Sequence, residues 1–139
     1  MHKSKIFILS AFIMLVSYNL HANNASIHTT APGIYNNGTP KADWKTEMHD
    51  FGEIIQGKPV TVEFSFTNNG DAPLLISDVV TSCGCTVPVF PGEPIAPGKS
   101  SKISVTYNAA NKGVFSKTIT VKSNDQEAVK ILTIKGTVK

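Results

Sequence analysis

The segment from residue 60 to residue 67 constrains the fold most, because its side chains alternate between apolar and polar. This alternation is the period of a β-strand with one face in a core and the other in water. In an α-helix the same residues would point all around the axis and form no apolar stripe. The apolar members are Val60, Val62, Phe64 and Phe66, and the polar members are Thr61, Glu63, Ser65 and Thr67.

Further short apolar segments precede and follow this strand, separated by turn residues such as Gly, Asn, Asp and Pro. No segment shows helical spacing over more than one turn. About seven strands with turns every 8 to 12 residues predict an immunoglobulin-like β-sandwich of about seven antiparallel strands. The other predicted strands lie in Asp43–Asp50, Leu74–Val80, Lys102–Tyr107, Val114–Ser123 and Ala128–Val138.

The sequence also predicts where several residues and segments lie within this sandwich. Trp44, the only tryptophan, is expected to cap one end of the core. Four prolines between residues 88 and 97 predict an extended surface loop, with Ile95 tucked into the core. Lys117 interrupts an apolar face and is expected to mark a strand edge. The last strand is apolar on both faces at its middle, which predicts a central or covered position.

The amino terminus predicts an exported protein. Lys3 and Lys5 precede an apolar run that ends before Ala22, which is the order of a secretory signal peptide. We therefore expect a signal peptide at 1–22, a flexible linker at 23–42 and a domain at 43–139. The apolar run is too short for a membrane span, and no cysteine follows it to carry a lipid. The expected location is periplasmic or extracellular, with no membrane span after cleavage.

The charge of the mature chain argues against a nucleic-acid partner. Removing the signal removes two of the 13 basic residues, and the remaining 11 face 10 acidic residues, a net charge of +1. All basic side chains are lysines, scattered along the chain without a cluster. A nucleic-acid interface usually concentrates basic side chains and includes arginine.

Cys83-Gly84-Cys85 contains both cysteines and is the candidate redox or metal site. Three interpretations remain open. A disulfide could simply staple a turn, or its small ring could exchange with other thiols. Two thiolates could also hold Cu(I), which accepts two ligands. Zinc would want four ligands, and the mature chain adds only His28 and His49.

No constellation of catalytic residues is recognisable, so we expect no enzyme. His49 and Asp50 are neighbours on a predicted strand and point to opposite faces, so Asp50 is expected to accept backbone amides instead. Asn68-Asn69-Gly70-Asp71 could suggest a calcium loop, but turn chemistry explains it more simply.

The motifs together resemble a bacterial family known as domain of unknown function 1573. The resemblance covers residues 43–139 and implies a β-sandwich and an exported location, without a reaction. The family is similar to the immunoglobulin-like domains of major sperm protein and pilus chaperones, a wider group that mostly binds proteins. The motifs are His49–Gly52, Phe64–Leu74, Ser82–Thr86, Ile95–Lys99 and Thr120–Asn124.

The sequence thus favours an exported, non-catalytic module that binds an unknown envelope protein, with the pairing of an exposed strand edge as the expected mode. The alternative is a thiol redox or Cu(I) site at Cys83 and Cys85. A glycan-binding module is a weaker hypothesis, because the chain has only one tryptophan.

Overall fold

The computed structural model describes residues 38–139. The predicted signal peptide and most of the predicted linker lie outside the described residues. Among the described residues, no helix is long and apolar enough to cross a membrane. The eight strands are β1 (Ala42–Trp44), β2 (Met48–Ile54), β3 (Val60–Asn68), β4 (Ile76–Thr81), β5 (Thr86–Val89), β6 (Ser100–Tyr107), β7 (Gly113–Ser123) and β8 (Val129–Val138).

The strands form two four-stranded sheets around one core. Sheet A has the order β1-β3-β6-β5, and sheet B has the order β2-β8-β7-β4. All pairs are antiparallel except β2 and β8, which are parallel. The predicted immunoglobulin-like sandwich is confirmed, with eight strands in place of about seven and with one parallel pair.

The additional strand arises because the segment predicted as a single first strand, Asp43–Asp50, is divided between the sheets. Trp44 stays with sheet A, where its ring packs against Phe66 at a centroid distance of 4.6 Å. Four residues later, Met48 pairs with Thr133 in sheet B. Trp44 packs against the core from its partly exposed position, as predicted.

The alternation of residues 60–67 is realised in β3. Phe64 and Phe66 point inward and are fully buried, and burying each phenylalanine contributes about 1.5–3 kcal/mol. The rings of Tyr107 in sheet A and Phe115 in sheet B stack at 4.1 Å across the core. The other buried apolar residues are Ile54, Leu74, Ile76, Val79, Ile95, Ile103, Val105, Ala109, Ile119, Val121, Leu132, Ile134 and Val138.

The outer face of sheet A is polar along β3 and β6. The Lys102 ammonium donates to the Glu63 carboxylate at 2.6 Å across the two strands. The hydroxyls of Thr61 and Thr106 are 2.8 Å apart. These cross-strand pairs add modest stability and keep this face hydrated.

A buried asparagine side chain organises the turn after β3. The Asn68 amide nitrogen donates to the carbonyls of Ala72 and Ile95, both at 2.8 Å. Its side-chain oxygen accepts the backbone N–H of Gly70 at 3.0 Å and of Lys41 at 3.3 Å. The predicted turn is confirmed. Both the nitrogen and the oxygen of the Asn68 side-chain amide are hydrogen-bonded within the protein.

The last residues of the predicted linker lie against this turn. The Asp71 carboxylate accepts the Thr39 N–H at 2.6 Å, and the Asn69 N–H donates to the Lys41 carbonyl at 2.8 Å. A Cβ at Gly70 would overlap the Thr39 carbonyl, so only glycine permits this approach.

Lys117 does not lie at the edge of sheet B, which corrects the expectation. It lies within β7, a central strand, and its half-buried side chain is on the inward face. β4 ends where Thr81 pairs with Ile119. Beyond that point β7 has no neighbouring strand on this side among the described residues. Lys117 therefore lies just past the place where the neighbouring strand β4 ends.

The proline-rich segment is not a loop throughout, which is a second correction. Pro88 lies in β5 opposite Val105. The strand is at an edge of sheet A and the proline nitrogen faces away from β6, so no ladder hydrogen bond is lost. Ile95 is buried, as predicted, and forms an isolated bridge with Leu74. The last strand, β8, is central in sheet B, as predicted.

Candidate functional site

Cys83 and Cys85 form a disulfide within the turn between β4 and β5. Because β4 belongs to sheet B and β5 to sheet A, this turn carries the chain from one sheet to the other. Two cysteines so close in sequence cannot themselves bridge the sheets. Sequence reasoning missed that the turn containing them is the crossover, because sheet membership depends on distant partners.

The disulfide turn is held by hydrogen bonds that do not involve sulfur. The Ser82 N–H donates to the Thr118 carbonyl at 2.9 Å, and the Thr118 N–H donates to the Ser82 hydroxyl at 3.1 Å. The Thr81 hydroxyl donates to the Cys83 carbonyl at 2.9 Å. The Asn108 N–H donates to the Cys85 carbonyl at 3.0 Å. Both sheets therefore fix the turn through its backbone.

A buried hydroxyl lies beside both sulfurs. Thr86 Oγ1 is 3.6 Å from Cys83 Sγ and 3.9 Å from Cys85 Sγ, and Thr86 is only 4% exposed. Both cysteines are half-buried, and Cys85 packs against the core. The hydroxyl can donate a hydrogen bond to either sulfur.

The edge of β4, immediately before this turn, presents unpaired backbone groups. Ser82 faces Thr118 with its backbone, so the alternation of an antiparallel pair turns the backbone groups of Val79 and Thr81 away from β7. Neither residue has another backbone partner among residues 38–139. This segment contains no proline or glycine that would interrupt a further strand.

An asparagine fixes the approach to β4. The Leu75 N–H donates to the Asn124 side-chain oxygen at 2.7 Å, and the Asn124 amide donates to the Pro73 carbonyl at 3.0 Å. These bonds join segments 49 and 51 residues apart in sequence. They position the start of the β4 edge.

The outer face of sheet B beside β4 is partly apolar. Val80 lies opposite Thr120 on β7, and Thr120 lies opposite Ile131 on β8, so the three side chains form one row across the sheet. Val80 and Ile131 are each 47% exposed, and Met48 and Val129 are also exposed on this face. We call Met48, Val80, Val129 and Ile131 the apolar face.

The two edges of sheet A are obstructed. At β5, the Thr86 N–H lies 3.4 Å from the Cys83 carbonyl, and the Thr86 carbonyl accepts the Thr81 hydroxyl at 3.2 Å. The next outward-facing residue is Pro88, which has no N–H. At β1, only three residues long, the Asp125 carboxylate takes the Ala42 N–H at 2.9 Å.

The β2 edge of sheet B is obstructed by a bulge and by charge. The register shifts between Asp50 and Glu53, and Gly52 there has a φ of 64°. The Asp50 carboxylate accepts the Gly52 N–H at 2.8 Å. Asp50 thus accepts a backbone amide, as predicted, although it lies within β2 and not at the end of a strand. This bond is the main cause that holds the pKa of Asp50 below its ordinary value, and Lys135 adds to it. Bulges and charges are common protections of sheet edges.

The other predicted site residues are not brought together. The ring of His49 packs edge-on against Phe51 at 4.5 Å, and His28 lies outside the described residues. Within residues 38–139 no three His, Cys, Asp or Glu side chains cluster as metal ligands. Cu(I) at Cys83 and Cys85 would need the reduced pair and stays a prediction.

A family model described as protein of unknown function (DUF1573) matches residues 42–138. No curated protein matches the chain. Among solved structures, a protein of unknown function from Porphyromonas gingivalis W83 is 20% identical with a TM-score of 0.64. The match covers 71% of this chain and 47% of that protein, so this chain spans about half of its length.

Two further solved structures share the fold at low identity. A PapD-like domain of human CEP192 is 9% identical with a TM-score of 0.62, over 73% of this chain and 87% of that one. The secreted serine protease VesC from Vibrio cholerae is 15% identical with a TM-score of 0.55, over 70% of this chain and 23% of that one. These likenesses show the fold alone.

Proposed function

Because the chain belongs to the DUF1573 family of unknown function, we propose from its own geometry that the domain binds an extended segment of another protein along the β4 edge. The carrying observation is the pair of outward-facing backbone groups at Val79 and Thr81, beside an exposed Val80. An added strand would complete these hydrogen bonds. At this edge the module acts by binding, without a catalytic step.

The apolar face supports an extended occupant with apolar side chains. A strand placed beside β4 would extend the row of Val80, Thr120 and Ile131 by one position. An apolar side chain at that position would bury part of Val80, at about 25 cal/mol for each Å² of apolar surface removed from water. The fold, which is shared with a PapD-like domain, is compatible with such a role.

The proposal includes export to the cell envelope. Its support is the basic, apolar and small-residue order of residues 1–22. Cell fractionation followed by intact mass measurement tests it, with the mature chain expected to begin after Ala22. Recovery of the uncut chain from the cytoplasm would contradict this part alone.

The binding proposal is tested by photo-crosslinking in the producing cells. A photoreactive amino acid replaces Val80 on the β4 edge, and a matched control replaces Val87 on β5, which is the more accessible of the two at 60% exposure against 47%. We expect a discrete adduct with a second protein from position 80 and none from position 87. With the captured protein purified, the amides of Val79 and Thr81 should become protected from hydrogen exchange.

Three results would overturn the binding proposal. One is an adduct at position 87 as strong as that at position 80. Another is an adduct at position 80 that proves to be a second copy of this chain or its own amino-terminal segment. The third is protection from exchange at strands other than β4.

A further inference from the structure

The disulfide between Cys83 and Cys85 contributes little to holding the fold. The two cysteines are separated by two positions, and closing so short a loop removes little conformational entropy from the unfolded chain. The turn is fixed independently by the bonds between Ser82 and Thr118, and by the Asn108 N–H on the Cys85 carbonyl. None of these bonds involves a sulfur atom, so we expect the turn to persist after reduction with the two thiols beside each other.

The environment of the sulfurs suits a thiolate. Thr86 Oγ1 is 3.6 Å from one sulfur and 3.9 Å from the other, in a position that is only 4% exposed. A hydroxyl that donates to a thiolate stabilises the charged form and lowers the thiol pKa. A thiolate with a lower pKa is the better leaving group in exchange.

We propose that Cys83–Cys85 is a thiol–disulfide exchange site that accepts two electrons from a dithiol, with the Thr86 hydroxyl as hydrogen-bond donor to the departing sulfur. This inference is independent of the β4 docking edge. It assigns Thr86 a positioning role that a purely structural turn would not need.

The exchange balances as two displacements. A thiolate of the reductant attacks Cys83 Sγ, because Cys85 is the sulfur packed against the core. The S–S bond breaks, its electron pair leaves with Cys85, and Thr86 donates to that thiolate. The second thiolate of the reductant then attacks the reductant's other sulfur, which is bonded to Cys83 in the mixed disulfide, and Cys83 leaves as a thiolate. The reductant leaves as a disulfide, and the protons it lost are available to the two cysteines.

A lysine on β7 lies next in the chain to a residue that holds the disulfide turn. Lys117 directly precedes Thr118 in the chain, and Thr118 is hydrogen-bonded to Ser82 in the turn. Its side chain is half-buried on the inward face and forms no ion pair with any described residue. A nearby positive charge favours a thiolate over a thiol. We expect Lys117 to contribute less than Thr86, which touches both sulfurs.

The test is the rate at which dithiothreitol reduces the full native chain at pH 7, followed by alkylation and intact mass. We expect two alkylated thiols to appear with unchanged far-UV circular dichroism. Thr86→Val should slow this reduction about tenfold, since a hydrogen bond to a charged group is lost. Thr86→Ser keeps the hydroxyl and should stay within about threefold of the parent.

Matched controls separate chemistry from folding. Thr67→Val changes a half-buried threonine on β3 and should leave the rate unchanged. Lys117→Gln should slow reduction about threefold, and Lys122→Gln, which alters an exposed lysine paired with Asp78, should not. The double variant Cys83→Ser, Cys85→Ser should fold with nearly the parent urea midpoint.

Each opposite result would overturn the exchange proposal. Reduction that requires denaturant, or equal rates for the parent and Thr86→Val, would leave the disulfide a structural staple. Failure of the double serine variant to fold would also mean that the disulfide is a structural staple. None of these results bears on crosslinking at position 80, so the two proposals fail separately.

Discussion

β4 and β5 are joined by the disulfide turn, and each forms the edge of its own sheet. β5 exposes more apolar surface, with Val87 and Val89 at 60% and 65% exposure against 47% for Val80 on β4. Side-chain exposure alone would therefore select β5 as the docking strand. The backbone selects β4, because the outward groups of β5 are occupied at Thr86 and Pro88 has no N–H to donate.

The difference shows that an edge suitable for strand addition is defined by its unpaired donors and acceptors. Main-chain hydrogen bonds provide much of the affinity in strand addition, and side chains provide the specificity. A proline in an edge strand is a recognised way to prevent unwanted pairing. The protein thus carries an open edge and a closed edge on either side of one turn.

The largest effect is expected from Val80→Lys, measured as affinity for the protein captured at position 80. A lysine there places a charge in the row shared with Thr120 and Ile131. We expect affinity by calorimetry to fall at least about thirtyfold, the scale of a central interface residue. The matched variant Val87→Lys on β5 should change affinity less than twofold. Equal losses for the two lysines would remove the distinction between the edges.

Asn124→Ala should affect β4 more than Asn108→Ala affects β5. Asn124 makes two hydrogen bonds to the segment before β4, whereas the Asn108 side chain accepts the N–H of Ala110, two residues away. Urea denaturation should show a loss of about 1–2 kcal/mol for the first variant and less than about 1 kcal/mol for the second.

Hydrogen exchange locates the effect of the Asn124 variant. The amides of β4 should exchange faster, while those of β5 should not change. A loss of stability spread evenly over both strands would mean that Asn124 supports the whole sandwich and does not position this edge in particular.

The local parts of the fold were predictable from sequence because they depend on neighbours in the chain. The alternation in β3 needs only the pleat, and the turn at Asn68 needs only a polar side chain and glycine. The cysteine pair was identified by composition. Thr86, next to Cys85, was not singled out, although adjacency to the motif was a usable signal.

The parts that sequence reasoning missed depend on distant partners. Asp43–Asp50 divides between the sheets because Trp44 contacts Phe66 while Met48 pairs with Thr133. No local sequence pattern indicates that β4 is the edge strand of one sheet and β5 the edge strand of the other. An edge is a property of strand order, which local patterns do not encode.

Pro88→Val should show that the proline nitrogen faces away from β6. The substitution adds an N–H at position 88 and fits a half-buried position. We expect the added amide to exchange rapidly, with stability changed by less than about 1 kcal/mol through the freer unfolded chain. With the edge reopened, a crosslinker at position 87 should begin to give adducts. A strongly protected amide at position 88 would instead mean that β5 turns this group toward β6, and the contrast with β4 would fail.

The smallest effect concerns β2, the second edge of sheet B, where charge accompanies a bulge. The Gly52 N–H and, more weakly, Lys135 lower the pKa of Asp50 in the folded protein. A lowered folded pKa stabilises the fold above the ordinary value of 3.8, and this contribution is lost as the pH falls through the folded pKa. Urea midpoints should therefore decline slightly in that range for the parent and less for Asp50→Asn, whereas Asp43→Asn, on β1, should retain the decline. Crosslinking at position 48 should stay negative in Asp50→Asn, because the Gly52 bulge remains; adducts there would mean that charge alone had closed β2, and β4 would no longer be the only open edge among the described strands.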